Sequence, residues 1–385
     1  MKQYKGHIKS KLPDVGTSVF AVMTGLAKKH NAVNLSQGFP DFPVSQELIE
    51  LVNHYMKKGF NQYAPMPGVQ ELREGIAEMF KKNHNADYNP ETEITITAGA
   101  TQAIYTAISA FINDGDEAII FEPAYDSYAP AVIANKGVVK YAVLEHPDYS
   151  INWNLVVRMI SARTKVIIIN TPHNPTGSIL KKEDFETLER ILKGRDIVVI
   201  SDEVYEHLIF DNETHYSAAR FPDLASHSLV IGSFGKTFHA TGWKTGFVLA
   251  PEKITAEFRK LHQFTVFATN TPVQYALAEY LKTPKHYTHL GKFYQKKRDF
   301  FLNGIKSSRF KAVPAKGTYF QLLDYSNISK EPEYKFAKRL TKEFGIAGVP
   351  VSPFYHDGKN NNMIRFCFAK KESTLQKAAE ILCKI

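Results

Sequence analysis

The chain has 385 residues, which is enough for one large domain and a smaller one. Of these residues, 44% are hydrophobic and 23% charged, as is ordinary for a globular protein. It has no run of about 18 apolar residues, no apolar signal-peptide core and only two cysteines, which predicts a cytoplasmic protein without disulfides, a membrane span or a metal site. The formal net charge is +9, but the pairs of adjacent lysines are scattered along the chain and form no basic stripe with interleaved aromatics. We therefore expect attraction of anionic substrates and no binding of nucleic acid.

From about residue 93, short runs of apolar and β-branched residues alternate with helical patterns. Predicted helices at 101–111 and 183–192 lie between several of these runs. The alternation is typical of an α/β fold, in which helices cover both faces of a mostly parallel central sheet. The predicted strands, in chain order, cover residues 93–97, 117–121, 166–169, 197–201, 229–232 and 246–250.

The C-terminal part of the chain has a different pattern. Predicted strands at 318–323 and 363–368 mix there with predicted helices at 333–344 and 372–382. This mixture indicates a smaller α+β domain, to which the N-terminal segment can contribute.

Small and polar residues cluster where the predicted strands end. In an open α/β sheet, ligands bind beyond the carboxyl ends of the strands, so the fold and the unusual residues point to one place. The clusters are 98–101, Tyr125, 174–177, 202–205 and 233–236.

Lys236 is the first candidate for chemistry, in the segment SFGKTFHATGWK at 233–244. A lysine directly after a buried strand is poorly explained by packing, and its amine can form a Schiff base with an aldehyde cofactor. Ser233 and Lys244 flank it as a hydroxyl donor and a cation, both suited to a phosphate. The alternative is a turn with surface lysines, but the glycines and Trp243 indicate a tight, partly buried bend.

Two further strand ends carry candidate side chains. Asp202 follows an apolar strand and could keep a pyridine nitrogen protonated, although an aspartate there is also a common helix N-cap. In the segment TPHNPTG, two prolines and a glycine fix a rigid loop that presents Asn174, although a well-made turn needs no function. The role of a loop or supporting residue suits His173 better than that of a catalytic base.

Weaker candidates come from single positions. Ala100 and Thr101 begin a predicted helix whose free N–H groups can bind an anion. Tyr125 can stack on a planar ring, although a packed core tyrosine is the default. Arg365 lies between apolar neighbours in a predicted strand, which suits a bidentate carboxylate, and an outward-facing arginine is the alternative.

Taken together and in this order, the motifs resemble the class I aminotransferases of pyridoxal 5′-phosphate (PLP) fold type I. The likeness spans nearly the whole chain, from LSQGFPDF at 35–42 to FCFAKKE at 366–372. It is greatest to the methionine aminotransferase branch, followed by the branch of kynurenine aminotransferase, or glutamine transaminase K. The motifs are NPTG at 174–177, SDEVY at 201–205, SFGK at 233–236 and GWK at 242–244.

The resemblance implies a PLP-dependent, ping-pong aminotransferase in which Lys236 binds the cofactor and shuttles the substrate proton. It also implies that Asp202 pairs with the pyridine nitrogen, that Tyr205 and Asn174 contact the phenolic oxygen, and that Tyr125 stacks on the ring. The implied phosphate ligands are Ala100, Thr101, Ser233, Lys244 and Tyr63 of the partner subunit.

The resemblance further implies a homodimer with shared active sites, in which Arg365, Asn174 and the Gly38 backbone bind the substrate carboxylate. Lys244 stands where many relatives have arginine, but the methionine and kynurenine branches have lysine there. Aspartate aminotransferases carry a second arginine near 264–267, where this chain has Phe-Thr-Val-Phe. We therefore expect a neutral, hydrophobic amino acid such as methionine, phenylalanine, tyrosine or tryptophan as donor, and a 2-oxo acid as acceptor.

The implied domains are an N-terminal arm at 1–45 that contributes to the small domain, a large PLP-binding domain at 46–280 and a small C-terminal domain at 281–385.

Two other functions remain open at this point. One is β-elimination from cysteine S-conjugates, as in the kynurenine branch, and the other is a non-catalytic sensing domain of the same fold. The second needs an added DNA-binding module, for which the segment before residue 93 offers little room.

Overall fold

The computed structural model of the chain describes residues 1 and 3–385. Among them, no helix has the length and apolarity needed to cross a membrane. The helices are α1 (Val19–Lys29), α2 (Gln46–Lys57), α3 (Gln70–His84), α4 (Ala100–Phe111), α5 (Tyr128–Ala134), α6 (Trp153–Met159), α7 (Lys182–Leu192), α8 (Pro222–Ala225), α9 (Phe234–Thr237), α10 (Glu252–Thr265), α11 (Thr271–Leu281), α12 (Lys285–Thr288), α13 (Leu290–Gly304), α14 (Glu333–Glu343) and α15 (Glu372–Leu382).

The strands form a central sheet and two small ones. Each predicted strand is present, with ends that differ by up to two residues from those expected. The strands are β1 (Val33–Asn34), β2 (Ile94–Thr97), β3 (Glu117–Glu122), β4 (Val138–Val143), β5 (Thr164–Asn170), β6 (Val198–Asp202), β7 (Ser228–Ser233), β8 (Gly246–Leu249), β9 (Phe320–Asp324), β10 (Ile346–Ala347), β11 (Val349–Pro350) and β12 (Met363–Cys367).

Within the described chain, the central sheet has seven strands in the order β2-β8-β7-β6-β5-β3-β4. Strand β8 is antiparallel to both of its neighbours, and the other pairs are parallel. Helices pack on both faces, as one apolar cluster contains α4 and α5 and the other contains α3 and α7. The prediction of a mostly parallel α/β sheet is therefore confirmed.

The inner strands were recognisable because burial on both faces requires a continuous apolar run. All residues of β3 and β7 are buried. Strand β4 was missed, since it lies at the sheet edge and Val138 at its start is exposed. The strand predicted to start at 318 begins at Phe320, because Thr318 has a left-handed φ of 67°.

The C-terminal elements form an antiparallel sheet in the order β11-β12-β9. Strand β1 from the N-terminal segment pairs in parallel with β10, where Val33 lies opposite Ile346. The N-terminal segment thus contacts the C-terminal part of the chain. The domain boundaries at 45 and 280 stay predictions.

Candidate active site

A cavity of about 460 Å³ opens beyond the carboxyl ends of the central strands. Apart from Tyr63, all side chains and backbone positions expected in the site line this cavity. They are Gly38, Ala100, Thr101, Tyr125, Asn174, Asp202, Tyr205, Ser233, Lys236, Lys244 and Arg365.

One end of the cavity can accept an anion. Helix α4 begins there at Ala100, after the N-cap Gly99 with a φ of 78°. The N–H groups of the first turn of a helix have no partner inside the helix and can bind an anion. Nearby, a Cβ on Gly246 would lie 3.0 Å from Ala100 N and 2.7 Å from Gly232 O, so β8 approaches the helix start closely. Lys244 Nζ lies 3.5 Å from the position of a Cβ on Gly99, and Ser233 pairs with Gly246 in the sheet, so a cation and a hydroxyl line the same end.

Lys236 lies in the short helix α9, directly after β7. Its Nζ donates a hydrogen bond to Tyr319 Oη at 3.1 Å. Burial lowers the pKa of Lys236 to about 8, and the positive charges of Arg365 and Lys244 act in the same direction. A substantial share of the amine is therefore neutral near pH 8 and can act as a nucleophile or base.

Asp202 ends β6, is buried and lines the cavity. Tyr128 Oη donates to its Oδ2 at 2.5 Å, and the Val204 N–H donates to its Oδ1 at 3.4 Å. Burial raises the pKa of Asp202 to about 6, while these two bonds oppose the rise. No α-helix follows Asp202 directly in the described chain, so the N-cap interpretation is wrong.

Arg365 lies on β12, lines the cavity and is only 2% exposed, so the outward-facing interpretation is wrong. Its Nη1 donates to Asn174 Oδ1 at 2.6 Å, and the guanidinium carbon lies 3.8 Å from the centre of the Phe320 ring. The buried Nε has no protein partner among the described residues. An unpaired buried donor on a guanidinium suits a carboxylate ligand.

Asn170, which sequence reasoning missed, fixes the loop that carries Asn174. Its Oδ1 accepts from the Asn174 N–H at 2.8 Å, and its Nδ2 donates to the Asp202 carbonyl at 2.8 Å. His173 is buried and does not line the cavity. Its Nδ1 lies 2.7 Å from Thr176 Oγ1, and burial lowers the pKa of His173 to about 3. This placement agrees with a supporting residue.

Tyr63 is absent from the cavity lining and is 84% exposed, with its ring edge-to-face against Phe267 at 5.5 Å. Two buried tyrosines next to the site, Tyr128 and Tyr319, were not predicted. Tyr128 contacts Asp202, 74 positions away in the chain, and Tyr319 contacts Lys236, 83 positions away. No local sequence pattern therefore marks either tyrosine.

The arrangement fits PLP. The helix start with Ser233 and Lys244 suits its phosphate, buried Asp202 suits its pyridine nitrogen, and the partly neutral amine of Lys236 suits its aldehyde. In the described chain, no cationic side chain forms a hydrogen bond with Asp202. A protonated ring nitrogen beside Asp202 would offset the cost of burying its negative charge. The orphaned Nε of Arg365 leaves room for an amino-acid carboxylate.

Comparisons with known proteins agree with this fit. Residues 30–382 match the family model for aminotransferase class I and II. The chain is 47% identical to methionine aminotransferase of Escherichia coli, covering 97% of each sequence. It is 34% identical to human kynurenine–oxoglutarate transaminase 1, covering 93% of each.

Solved structures give the same result. The crystal structure of Escherichia coli YbdL, for which a methionine aminotransferase function was identified, matches with a TM-score of 0.97 at 46% identity, covering 98% of this chain and 100% of that one. N-succinyldiaminopimelate aminotransferase of Mycobacterium tuberculosis matches with a TM-score of 0.94 at 33% identity, covering 98% and 100%. The chain belongs to the class I and II aminotransferase family and is a PLP-dependent enzyme that acts on amino acids and 2-oxo acids.

Proposed function

We propose that this enzyme takes its amino group from methionine or another neutral, hydrophobic L-amino acid. One observation carries the proposal. In the described lining of the cavity, Arg365 is the only arginine, and the walls near the N-terminal segment are formed by Phe20, Phe39 and Phe320. An acidic side chain would be buried against these rings without a second arginine to pair with it. The high identity to a methionine aminotransferase supports the same choice.

The proposed cofactor contacts follow from the lining. Ala100, Thr101, Ser233 and Lys244 would hold the phosphate, and Tyr125 and Asp202 would hold the ring and its nitrogen. Tyr205 and Asn174 serve the phenolic oxygen. When bound, PLP supplies an electron sink for the negative charge left when the substrate Cα loses its proton.

The chain's own residues prepare this proton transfer. Arg365 and Asn174 bind the substrate carboxylate and so fix the direction of the Cα–H bond. The Asp202 carboxylate keeps a proton on the ring nitrogen. Lys236 Nζ takes the proton from Cα, for which its pKa of about 8 is suitable near neutral pH.

The absorption spectrum tests this function. Purified enzyme should have a band at about 360–430 nm that moves to about 330 nm when methionine is added without acceptor. Borohydride should fix PLP to Lys236 of the native enzyme and should fix no cofactor to the chain in Lys236→Ala. A shift with an acidic amino acid but not with methionine or phenylalanine would overturn the substrate. Borohydride that fixes no PLP at Lys236 after PLP is added would overturn the role of Lys236.

A homodimer is part of the proposal. Tyr63, Phe264 and Phe267 form an exposed aromatic surface, with exposed fractions of 84%, 86% and 42%. Such a surface suits a second copy of the chain, in which Tyr63 would reach the partner's phosphate site. The cytoplasmic location stays a prediction.

Hybrid dimers test the shared site. Tyr63→Ala and Lys236→Ala subunits each form defective homodimers, but a mixed dimer contains one site with both native residues. We expect mixing to restore activity above that of either variant. Light scattering should give a dimer mass, and restoration of no activity in a demonstrated mixed dimer would contradict sharing.

A further inference from the structure

We infer that Tyr319 is a positioning residue for the amine of Lys236 and connects it to the N-terminal loop that carries Gly38. The inference rests on the proposed role of Lys236. Lys236 Nζ donates to Tyr319 Oη at 3.1 Å, and Tyr319 Oη donates to the Gly38 carbonyl at 2.5 Å. A single hydroxyl therefore lies between the reactive amine and a backbone position expected to bind the substrate.

The direction of these hydrogen bonds follows from the groups involved. A phenol has one proton, and a carbonyl can only accept, so the Tyr319 proton is directed to Gly38. The phenol oxygen is then an acceptor toward Lys236. A neutral amine that donates one N–H to Tyr319 keeps its own lone pair free, and this is the form that attacks a carbonyl carbon or accepts a proton. Burial raises the pKa of Tyr319 well above its usual range, so the phenol keeps its proton.

The backbone fixes Tyr319 in this place. The preceding Thr318 has a φ of 67°, and a Cβ on Gly317 would lie 2.6 Å from Pro172 Cβ. The Tyr319 carbonyl accepts from the Phe368 N–H at 2.9 Å. The side chain is fully buried, with the Tyr205 ring 5.1 Å away and edge-on. A hydroxyl held this firmly can set the position of a flexible lysine side chain.

The next residue in the chain holds the substrate end. The Phe320 ring lies under the Arg365 guanidinium at 3.8 Å. A Cβ on Gly38 would come within 2.9 Å of the same ring, so the N-terminal loop packs directly on it. Tyr319 and Phe320 thus hold the Lys236 amine and the Arg365 guanidinium at a defined separation. Because the freed amine must act on a substrate bound to Arg365, this separation matters for the reaction.

The test compares Tyr319→Phe with two matched variants that also lose one buried phenol. Tyr325→Phe removes a hydroxyl that donates to the Glu331 carbonyl at 2.6 Å, away from the cavity lining. Tyr294→Phe removes a hydroxyl 2.9 Å from His239 Nδ1, on a ring next to Tyr319. These variants separate loss of the Lys236 acceptor from loss of a buried hydrogen bond in general.

The first measurement is the pKa of Lys236 in the apoenzyme, from the pH dependence of acetic anhydride labelling read by mass spectrometry. A hydrogen-bond acceptor stabilises an ammonium more than an amine, so we expect this pKa to fall by about one pH unit in Tyr319→Phe. It should stay unchanged in Tyr325→Phe and Tyr294→Phe. An unchanged pKa in Tyr319→Phe would overturn the inference.

The second measurement is the half-reaction with methionine deuterated at Cα. We expect Tyr319→Phe to slow it about tenfold and to raise the isotope effect, with little change in KM, because the proton-transfer step becomes more limiting. Borohydride reduction separates the two proposals. Cofactor fixed at Lys236, together with a pKa and an isotope effect like those of the native enzyme, would overturn the inference and leave the proposed function standing.

Should Tyr319→Phe fail to fold, Tyr319→3-fluorotyrosine provides the same test. This change keeps the shape of the ring and its hydrogen bond to Gly38, but it makes the phenol oxygen a weaker acceptor. The pKa of Lys236 should then fall by a smaller amount. A pKa equal to that of the native apoenzyme would again overturn the inference.

Discussion

Tyr128 Oη donates a 2.5 Å hydrogen bond to Oδ2 of Asp202, although the two residues lie 74 positions apart in the chain. Both side chains are buried. Burial alone favours a protonated Asp202, whereas a hydrogen bond from a phenol favours the carboxylate. Tyr128 therefore helps to keep negative charge under the position proposed for the cofactor ring.

We expect Tyr128→Phe to weaken PLP binding most strongly at low pH. Without the phenol, the pKa of Asp202 should rise above its value of about 6, so the carboxylate is lost at a higher pH. The removal of one hydrogen bond to a charged group costs ~1.5–3 kcal/mol, or about 10- to 150-fold in affinity. Titration of the apoenzyme with PLP at pH 5.5 to 8.5 measures the change.

Tyr105→Phe is the control for this variant, because Tyr105 lies on α4, is 45% exposed and is not part of the cavity lining. Its pH profile for PLP binding should match that of the native enzyme. If Tyr128→Phe lost the same affinity at every pH, the phenol would act on packing and not on the ionisation of Asp202.

The sequence allowed the main sheet to be predicted because buried parallel strands leave continuous apolar runs. Strand β6 and the Asp202 that ends it are an example, since the run marks the strand and the charged residue marks its carboxyl end. The same logic located Lys236 after β7. Strand β4 was not recognised, because an edge strand needs no such run.

The supporting residues could not be predicted in this way. Tyr319 and Tyr128 look like ordinary core tyrosines in the sequence, and only the fold brings their hydroxyls to Lys236 and Asp202. Asn170 is similar, since its two hydrogen bonds to the Asn174 loop and the Asp202 carbonyl depend on neighbouring strands. Local patterns identify reactive groups, whereas long-range contacts identify the groups that orient them.

The capture of PLP by the apoenzyme should depend on pH through Lys236. The neutral amine is the nucleophile, and burial lowers its pKa to about 8. The capture rate should therefore rise about tenfold from pH 6 to pH 7 and level off above about pH 8. Stopped-flow absorbance measures the rate, and the reference is a free lysine side chain, whose pKa is about 10.4. A midpoint above about 10 in the enzyme would show that burial does not depress this pKa.

Arg365→Lys should weaken substrate binding even though it keeps the positive charge. Lysine cannot replace the planar guanidinium, which bonds Asn174 through Nη1, stacks on Phe320 and leaves Nε free. Loss of one or two charged hydrogen bonds should reduce kcat/KM for methionine about 100-fold, mainly through KM. Arg190→Lys on helix α7 is the control. An equal loss in both variants would argue against a carboxylate site at Arg365.

Gly246→Ala should distort the proposed phosphate site, because a methyl group on β8 would collide with the start of α4. Its Cβ would lie 2.7 Å from Gly232 O and 3.0 Å from Ala100 N, and both are backbone atoms that cannot rotate away. The start of α4 must then shift, at a cost of ~1–3 kcal/mol for overpacking. We expect a lower melting temperature together with at least tenfold weaker binding of PLP to the apoenzyme.

Gly25→Ala is the matched glycine variant, because Gly25 lies inside α1 and a Cβ there meets nothing within 4 Å. Alanine is favoured over glycine in a helix by ~0.5–1 kcal/mol, so this variant should melt at a higher temperature and bind PLP normally. The two substitutions add the same methyl group and should shift stability in opposite directions. If Gly246→Ala bound PLP as tightly as Gly25→Ala does, the start of α4 would not be part of the phosphate site.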